Sequence, residues 1–280
     1  MLKQRILTAV VLLAFLLPAL LVKPAWPFAL LVGIAIAAAG WEWARLNDAG
    51  GAAIALGIGI GLGVACLLAF LVGWTKGAPR LVWWTAMALW VLGGAWVLRG
   101  GVAGWPRVPR PVRLGIGLVA LWVCWLAMVN ARAGGLNYIL SIFMLVWTAD
   151  VFAYFGGRAF GKRKLAPAIS PGKSWVGVWS GMVGSLLVAV AWLMFDGSGR
   201  AYYDSFYTLI NERVTTIGLA LVVVFLVAMS VVGDLFESLV KRSAGAKDSS
   251  GLLPGHGGIL DRIDALLPVF PIVLALAPPS

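Results

Sequence analysis

Apolar runs close to twenty residues long recur along almost the whole chain, and no other feature narrows its folding options so far. About 20 helical residues cross the hydrocarbon core of a bilayer. Inside lipid every backbone N–H and C=O must find a partner within the chain, so such runs fold as helices. The alternating ten-residue segments of a β-barrel are missing. With 61% hydrophobic and 12% charged residues over 280 positions and a mean hydropathy of +0.96, the sequence predicts an all-α fold, a polytopic integral membrane helical bundle. Nine spans are predicted, at roughly 6–22, 25–44, 52–74, 81–98, 114–131, 136–156, 174–195, 215–238 and 265–278. The first follows Lys3 and Arg5 and reads as an uncleaved helix, because no small-residue cleavage pattern comes after it. The last is short and holds Pro268 and Pro271, which favours a re-entrant or partly inserted segment.

A net charge of +11 could point to nucleic acid. In so apolar a chain, however, Lys and Arg belong to span ends, where they set orientation and meet anionic headgroups. No nucleic-acid partner is expected. With the N-terminus and the loops after spans 2, 4, 6 and 8 on one side, sixteen of the 22 Lys and Arg lie on that side. Lys23, Lys76, Arg80, Arg132, Arg200 and Arg213 lie opposite. The positive-inside rule makes the richer side cytoplasmic, as in a multi-pass protein of a bacterial-type inner membrane. Loops 156–174 and 239–264 then face the cytosol. The Pro-, Gly- and Arg-rich stretch 99–113 reads as a cytoplasmic linker between N-terminal spans, 1–98, and a C-terminal catalytic region, 114–280. Loop 196–214 reads as a solvated outer connection. Cys66 and Cys124 lack metal or redox spacing and read as core residues. Gly57, Gly59, Gly61 and Gly63, in GIGIGLG, read as close helix packing, since neither a strand nor an acid frames them as a nucleotide fingerprint.

Charge is scarce, so where it gathers is informative. Five of the eleven acids, Asp234, Glu237, Asp248, Asp261 and Asp264, fall within 234–264 together with the only histidine, His256. Acids beside a membrane are costly and usually mark a working site. If span 8 stays helical through Arg242, then Asp234, Ser238 and Lys241 share a face. Asp261 and Asp264 would share one too if helical. Between them Pro254 to Gly258 is glycine-rich, and Gly257 and Gly258 permit close backbone approach to a bulky anion. Two carboxylates from different segments suit a hard cation such as Mg2+, which takes one or two carboxylates plus substrate phosphates. Lys241, Arg242, Lys247 and Arg262 would neutralise phosphate charge. The alternative is a cytoplasmic loop of ordinary ion pairs. A single histidine excludes a multi-His metal site, and His256 stands as a general acid, a phosphate donor or a satisfied loop residue.

Two earlier stretches add candidates. Asp150 ends an apolar run in TADVFAYFGG. It reads either as a structural partner of Arg158 or as the polar wall of a cavity, with Gly156, Gly157 and Gly161 letting the backbone turn toward a ligand. In SPGKSWVG, Ser170 and Pro171 can cap and start a helix. That would set Lys173 and Ser174 beside a positive helix N-terminus suited to phosphate. The same pattern also serves simply as the beginning of a span.

The run from Ser238 through Lys241-Arg242 and Lys247-Asp248 to Pro254-Gly-His-Gly-Gly-Ile-Leu-Asp-Arg-Ile-Asp264 resembles the signature of the phosphatidate cytidylyltransferases, or CDP-diacylglycerol synthases. The stretches around Asp150 and Ser170 are similar to the family's and come in the same order. Gly172, Ser174 and Val176 stand where the family commonly has Lys, Thr and Glu. The resemblance implies an all-helical membrane enzyme, a homodimer, that turns CTP and phosphatidic acid into CDP-diacylglycerol and pyrophosphate with Mg2+. A second, monovalent cation is left open. It implies Asp234 and Asp261 as metal-binding acids and Lys241 as a basic residue of the site. The candidate catalytic set is therefore Asp234, Lys241, Asp248, His256, Asp261, Arg262 and Asp264. The substrate-binding set is Asp150, Ser170, Lys173, Ser174, Ser238, Arg242, Lys247, Gly257 and Gly258. A related CTP-dependent transferase acting on another lipid acceptor would carry similar motifs. A secondary transporter would show inverted repeats and midplane acids, whereas these acids cluster at one edge and no repeat is visible.

Overall fold

A computed structural model describes residues 2–199 and 201–279. Arg200 lies outside the described residues, as do the side chains of Lys3 and Arg5. The chain folds as helices α1 (Leu2–Leu21), α2 (Trp26–Leu46), α3 (Ala52–Leu71), α4 (Arg80–Ala88), α5 (Gly94–Gly104), α6 (Arg110–Ala133), α7 (Leu136–Phe160), α8 (Trp175–Gly197), α9 (Phe206–Ser243), α10 (Leu260–Ile263) and α11 (Leu266–Leu276). One two-stranded hairpin, β1 (Lys164–Ala166) and β2 (Ser170–Ser174), lies between α7 and α8.

Among the described residues seven helices are long and apolar enough to cross a membrane: α2, α3, the helical run Arg80–Arg107, α6, α7, α8 and α9. The protein is therefore a nearly all-helical, multi-pass membrane bundle. The predicted count of nine is not reached by this measure. Among the described residues α1 contributes a shorter apolar stretch, Val10–Leu21. α11 has eleven residues, about 16 Å of helix against a core of about 30 Å. Ten of those residues are buried, and α11 packs among α4, α6, α7 and α9. It is a half-length helix enclosed by protein, which explains how two prolines are accommodated: groups freed by a missing N–H meet protein rather than lipid.

Three further expectations need correction. Ser170 and Pro171 do not start a helix. Ser170–Ser174 is a strand, consistent with the preference for extended backbone just before proline. The helix begins at Trp175, with Ser174 Oγ accepting from Gly177 N at 3.2 Å as its cap. Loop 196–214 is not merely solvated. Phe206, Tyr207 and Ile210 are buried in the first turns of α9, which breaks at Thr215 (φ 78°, ψ 166°) before resuming. Asp196 gathers the Oγ of Ser205 (2.5 Å), the Oγ1 of Thr208 (2.6 Å) and the Nδ2 of Asn137 (2.8 Å), pinning this end of the bundle. Finally, Gly156 and Gly157 lie inside α7, where added side chains would meet Ser180 and Ser174. They bring α8 close instead of turning toward a ligand, as small residues do between membrane helices. Gly59 of α3 packs against Ala37 and Trp41 of α2 in the way its sequence context predicts.

One core cluster draws on helices from both sides of 99–113, from Leu20 to Ala277. Phe236 of α9 stacks on Trp43 of α2 (5.7 Å) and meets Trp105 (5.6 Å) and Trp90 (5.4 Å) edge-on. Trp43 Nε1 donates to Arg113 O at 3.0 Å. These contacts fix the C-terminal end of α2, the start of α6 and the acidic part of α9 beside one another.

Candidate active site

α9 continues as a helix through Ser243, so Asp234, Glu237, Ser238 and Lys241 are held on two successive turns. They build two charge clusters. In the first, Lys241 Nζ lies 2.5 Å from Asp261 Oδ1 and 2.6 Å from Glu237 Oε2, with the Glu237 and Asp261 side chains only 1% and 6% exposed. Asp261 Oδ2 accepts from Gly258 N (2.7 Å), Ser249 Oγ (2.8 Å) and Ser249 N (2.9 Å). Burial by itself would raise the Asp261 carboxyl. Lys241 and the Gly258 and Ser249 amides outweigh it and hold the group at about 2, because each favours the charged form.

In the second cluster, Lys173 Nζ from the hairpin lies 2.6 Å from Asp234 Oδ2. Ser238 Oγ donates to Asp234 Oδ1 at 3.3 Å. Asp264 stands close enough to feel this pair. Burial and then the charges of Asp234 and Asp150 push its carboxyl well above the usual carboxylate range, against the pull of the Ala265 amide and Lys173. Asp264 has no ion pair among the described residues. Asp150 is exposed on α7, and Arg158 turns to Tyr154 Oη (3.3 Å).

The remaining candidates lie around these clusters. Arg242 braces the hairpin, with Nε donating to Ile169 O (3.4 Å) and Nη1 to Ala246 O (3.1 Å). Arg262 closes on His256 O through Nη2 (2.7 Å) and Nε (3.1 Å). His256 Nδ1 is buried with no hydrogen-bond partner among the described residues. Lys247 and Asp248 are exposed, and Ser170 begins β2. Gly257, at φ 78°, and Gly258 approach carboxylates of the protein itself. A Cβ on Gly257 would meet Asp261 Oδ2 at 2.6 Å, and one on Gly258 would collide with Ser249 Oγ and Glu42 Oε1. Gly258→Ala is expected to cost about 1–3 kcal/mol as an overpacked site, read as a lower thermal transition of the purified protein in detergent. An unchanged transition would show that the loop moves aside freely.

Two buried acids stand outside the predicted site set: Glu237, counted in the acidic stretch without a role, and Glu42, not singled out at all. Glu237 faces Lys241, its one partner among the described residues. Its i, i+4 spacing to Lys241 was visible. Glu42, in the run WEWAR of α2, is fully buried, and an acid in an apolar span was the available signal. Among the described residues no three His, Cys, Asp or Glu side chains gather tightly enough to hold a metal by themselves. A cavity of about 890 Å3 lies between the helical run Arg80–Arg107 and α6, with Phe236 in its wall. Its lining is almost wholly apolar and includes none of the predicted site residues.

Comparison with known proteins bears on the chain as a whole. Residues 3–278 match the sequence profile of the cytidylyltransferase family. A phosphatidate cytidylyltransferase of Pseudomonas aeruginosa is 41% identical over 285 aligned residues, 99% of this chain and 97% of that one. One from Haemophilus influenzae is 37% identical across 97% of this chain and 96% of its own length. One from Staphylococcus haemolyticus is 41% identical over 142 residues, 51% of this chain.

Proposed function

The chain belongs to the cytidylyltransferase family, and on that premise we propose that it is a phosphatidate cytidylyltransferase. It converts CTP and phosphatidate to CDP-diacylglycerol and pyrophosphate in phospholipid biosynthesis. The observation that carries the reading is the pairing of Lys173 with Asp234 and of Lys241 with Asp261, which ties three separated segments together along the C-terminal part of a membrane-spanning helix. A phosphate oxygen of phosphatidate attacks the α-phosphorus of CTP. The new P–O bond forms as the α–β anhydride bond breaks, and its electron pair leaves with pyrophosphate. The nucleophile is already anionic, so no strong base is required. The difficulty is bringing two polyanions together, and fixed positive charge offsets their repulsion. Lys173, partly exposed and held by Asp234, is the cation best placed for this, with exposed Lys162, Arg163 and Lys164 leading into the same hairpin.

Mg2+ is part of the proposal. The donors here suit a hard cation, since Asp234 and the neighbouring Asp264 offer carboxylate oxygens and Ser238 a hydroxyl, with Lys173 holding Asp234 Oδ2 until an ion takes its place. Asp264, raised by burial and like charge, has no counter-ion among the described residues. Asp234 and Asp264 would hold the ion, while Asp261 would join only by releasing Lys241; nucleotide phosphates would supply further ligands. When bound, Mg2+ would neutralise phosphate charge. Among the described residues no set stands out for a second, monovalent cation. The same reading puts this end of the bundle at the cytoplasmic face of an inner membrane, where a soluble nucleotide meets a lipid phosphate, and takes the assembly as a homodimer.

Purified protein in detergent, given CTP, Mg2+ and phosphatidate, is expected to release one pyrophosphate per CDP-diacylglycerol formed. Chelating Mg2+ with EDTA should stop the release. Pyrophosphate appearing only with a different lipid acceptor would move the assignment to a related transferase.

A further inference from the structure

The N-terminal helices carry an acid that the signature stretch does not contain and the proposed chemistry does not use. Glu42 lies near the C-terminal end of α2 and is fully buried. A buried carboxylate is costly unless matched, yet no lysine or arginine pairs with it among the described residues. Four donors from a segment more than 200 residues away match it instead. Oε1 accepts from Ser250 Oγ (2.6 Å) and Ile259 N (3.0 Å). Oε2 accepts from Leu260 N (2.7 Å) and Ser249 Oγ (3.1 Å). The two amides immediately precede Asp261. The Ser249 hydroxyl also lies 2.8 Å from Asp261 Oδ2, so one proton serves two carboxylates from opposite ends of the chain.

We infer that Glu42 is a positioning residue of the transfer site: it clamps residues 249–260 and thereby sets Asp261, which in turn aims Lys241. The inference rests on the reaction proposed above. Glutamate is well suited to the place, because an ionised carboxylate only accepts and all four partners donate. Glutamine would turn an NH2 group toward one pair of donors. Aspartate would fall one methylene short. Gly258 completes the fit, since any side chain there would occupy the space of Glu42 Oε1 and Ser249 Oγ. Positioning acts on alignment, and small misplacements of an aligned group lower the rate of the chemical step.

The test compares Glu42→Gln, Ser249→Ala, Ser250→Ala and Glu42→Gln/Ser249→Ala with wild type, in detergent, per folded molecule. Glu42→Gln should lower kcat by about 10–100-fold, the range seen when a supporting hydrogen bond behind a site is lost, with KM for CTP within about threefold. Ser249→Ala should lower kcat by about tenfold and Ser250→Ala by less than about threefold, because only Ser249 touches Asp261. The double variant should be no worse than about threefold below Glu42→Gln, since both changes cut one chain of contacts. A purely structural role would instead lower the thermal transition while kcat per folded molecule stayed at the wild-type value, and that result overturns the inference. So do multiplicative losses in the double variant. If Glu42→Gln cannot be purified folded, equal losses in Ser249→Ala and Ser250→Ala overturn it, and unequal losses in the stated order support it. Amide exchange at Ile259 and Leu260 adds a readout independent of substrate. It should quicken in Glu42→Gln even if wild-type enzyme proved to use another lipid acceptor, and unchanged exchange overturns the clamp.

Discussion

Asp234→Asn is expected to lower CTP turnover with phosphatidate by a factor on the order of 10²–10³ while leaving the folded protein almost as stable as wild type. The two halves of this expectation have different physical sources. Asp234 and Lys173 are 31% and 24% exposed, and an ion pair so wetted contributes only about 0–1 kcal/mol to stability. Removing its charge also relieves Asp264, which burial and the Asp234 charge together push upward. Turnover, by contrast, loses the carboxylate that orients Lys173 and that the proposal gives to the metal. The measurement is pyrophosphate release by monodisperse variant, with the thermal transition recorded on the same sample. Full activity in Mg2+ would remove Asp234 from the mechanism.

Lys241→Met should behave in the opposite way, with stability failing first. Lys241 stands between Glu237 and Asp261, both nearly inaccessible. Taking away the shared cation leaves two buried carboxylates facing each other, and breaking a buried pair from one side costs about 3–5 kcal/mol. A large fall in the thermal transition, or failure to accumulate in the membrane, is the expected outcome. Adding Glu237→Gln should recover much of the loss, because one of the two orphaned charges is then gone. A Lys241→Met protein that melts at the wild-type temperature would show that the cluster is far more hydrated than its burial implies.

How much of this could be read from residues alone depended on the distance between partners. Spans 2, 3 and 5 to 7 begin and end within a few residues of their predicted positions, because lipid imposes length and polarity directly on the sequence. The face shared by Asp234, Ser238 and Lys241 follows from helical spacing, and the helix does run past them. The hairpin at 164–174 was missed because its strands are held by pairing with each other, while the local signal of Ser-Pro also suits a helix start. α11 resisted assignment for a related reason: eleven apolar residues look the same whether they dip into lipid or are enclosed by other helices. Glu42 was the largest omission. Its meaning lies entirely in donors more than 200 residues on, and nothing in WEWAR announces them. Glycines 257 and 258 were recognised as points of close approach, but the groups they approach are carboxylates of the same chain.

The enclosed position of α11 bears on how the protein is made. Its residues leave the ribosome after every helix that surrounds them, yet ten of its eleven positions end inside the bundle. Earlier helices can enter the bilayer one by one, but they cannot settle around a centre that has not yet been synthesised. Assembly must therefore hold a slot open, or close late around the newcomer, and a nascent chain arrested before residue 266 would be inserted and still unfinished.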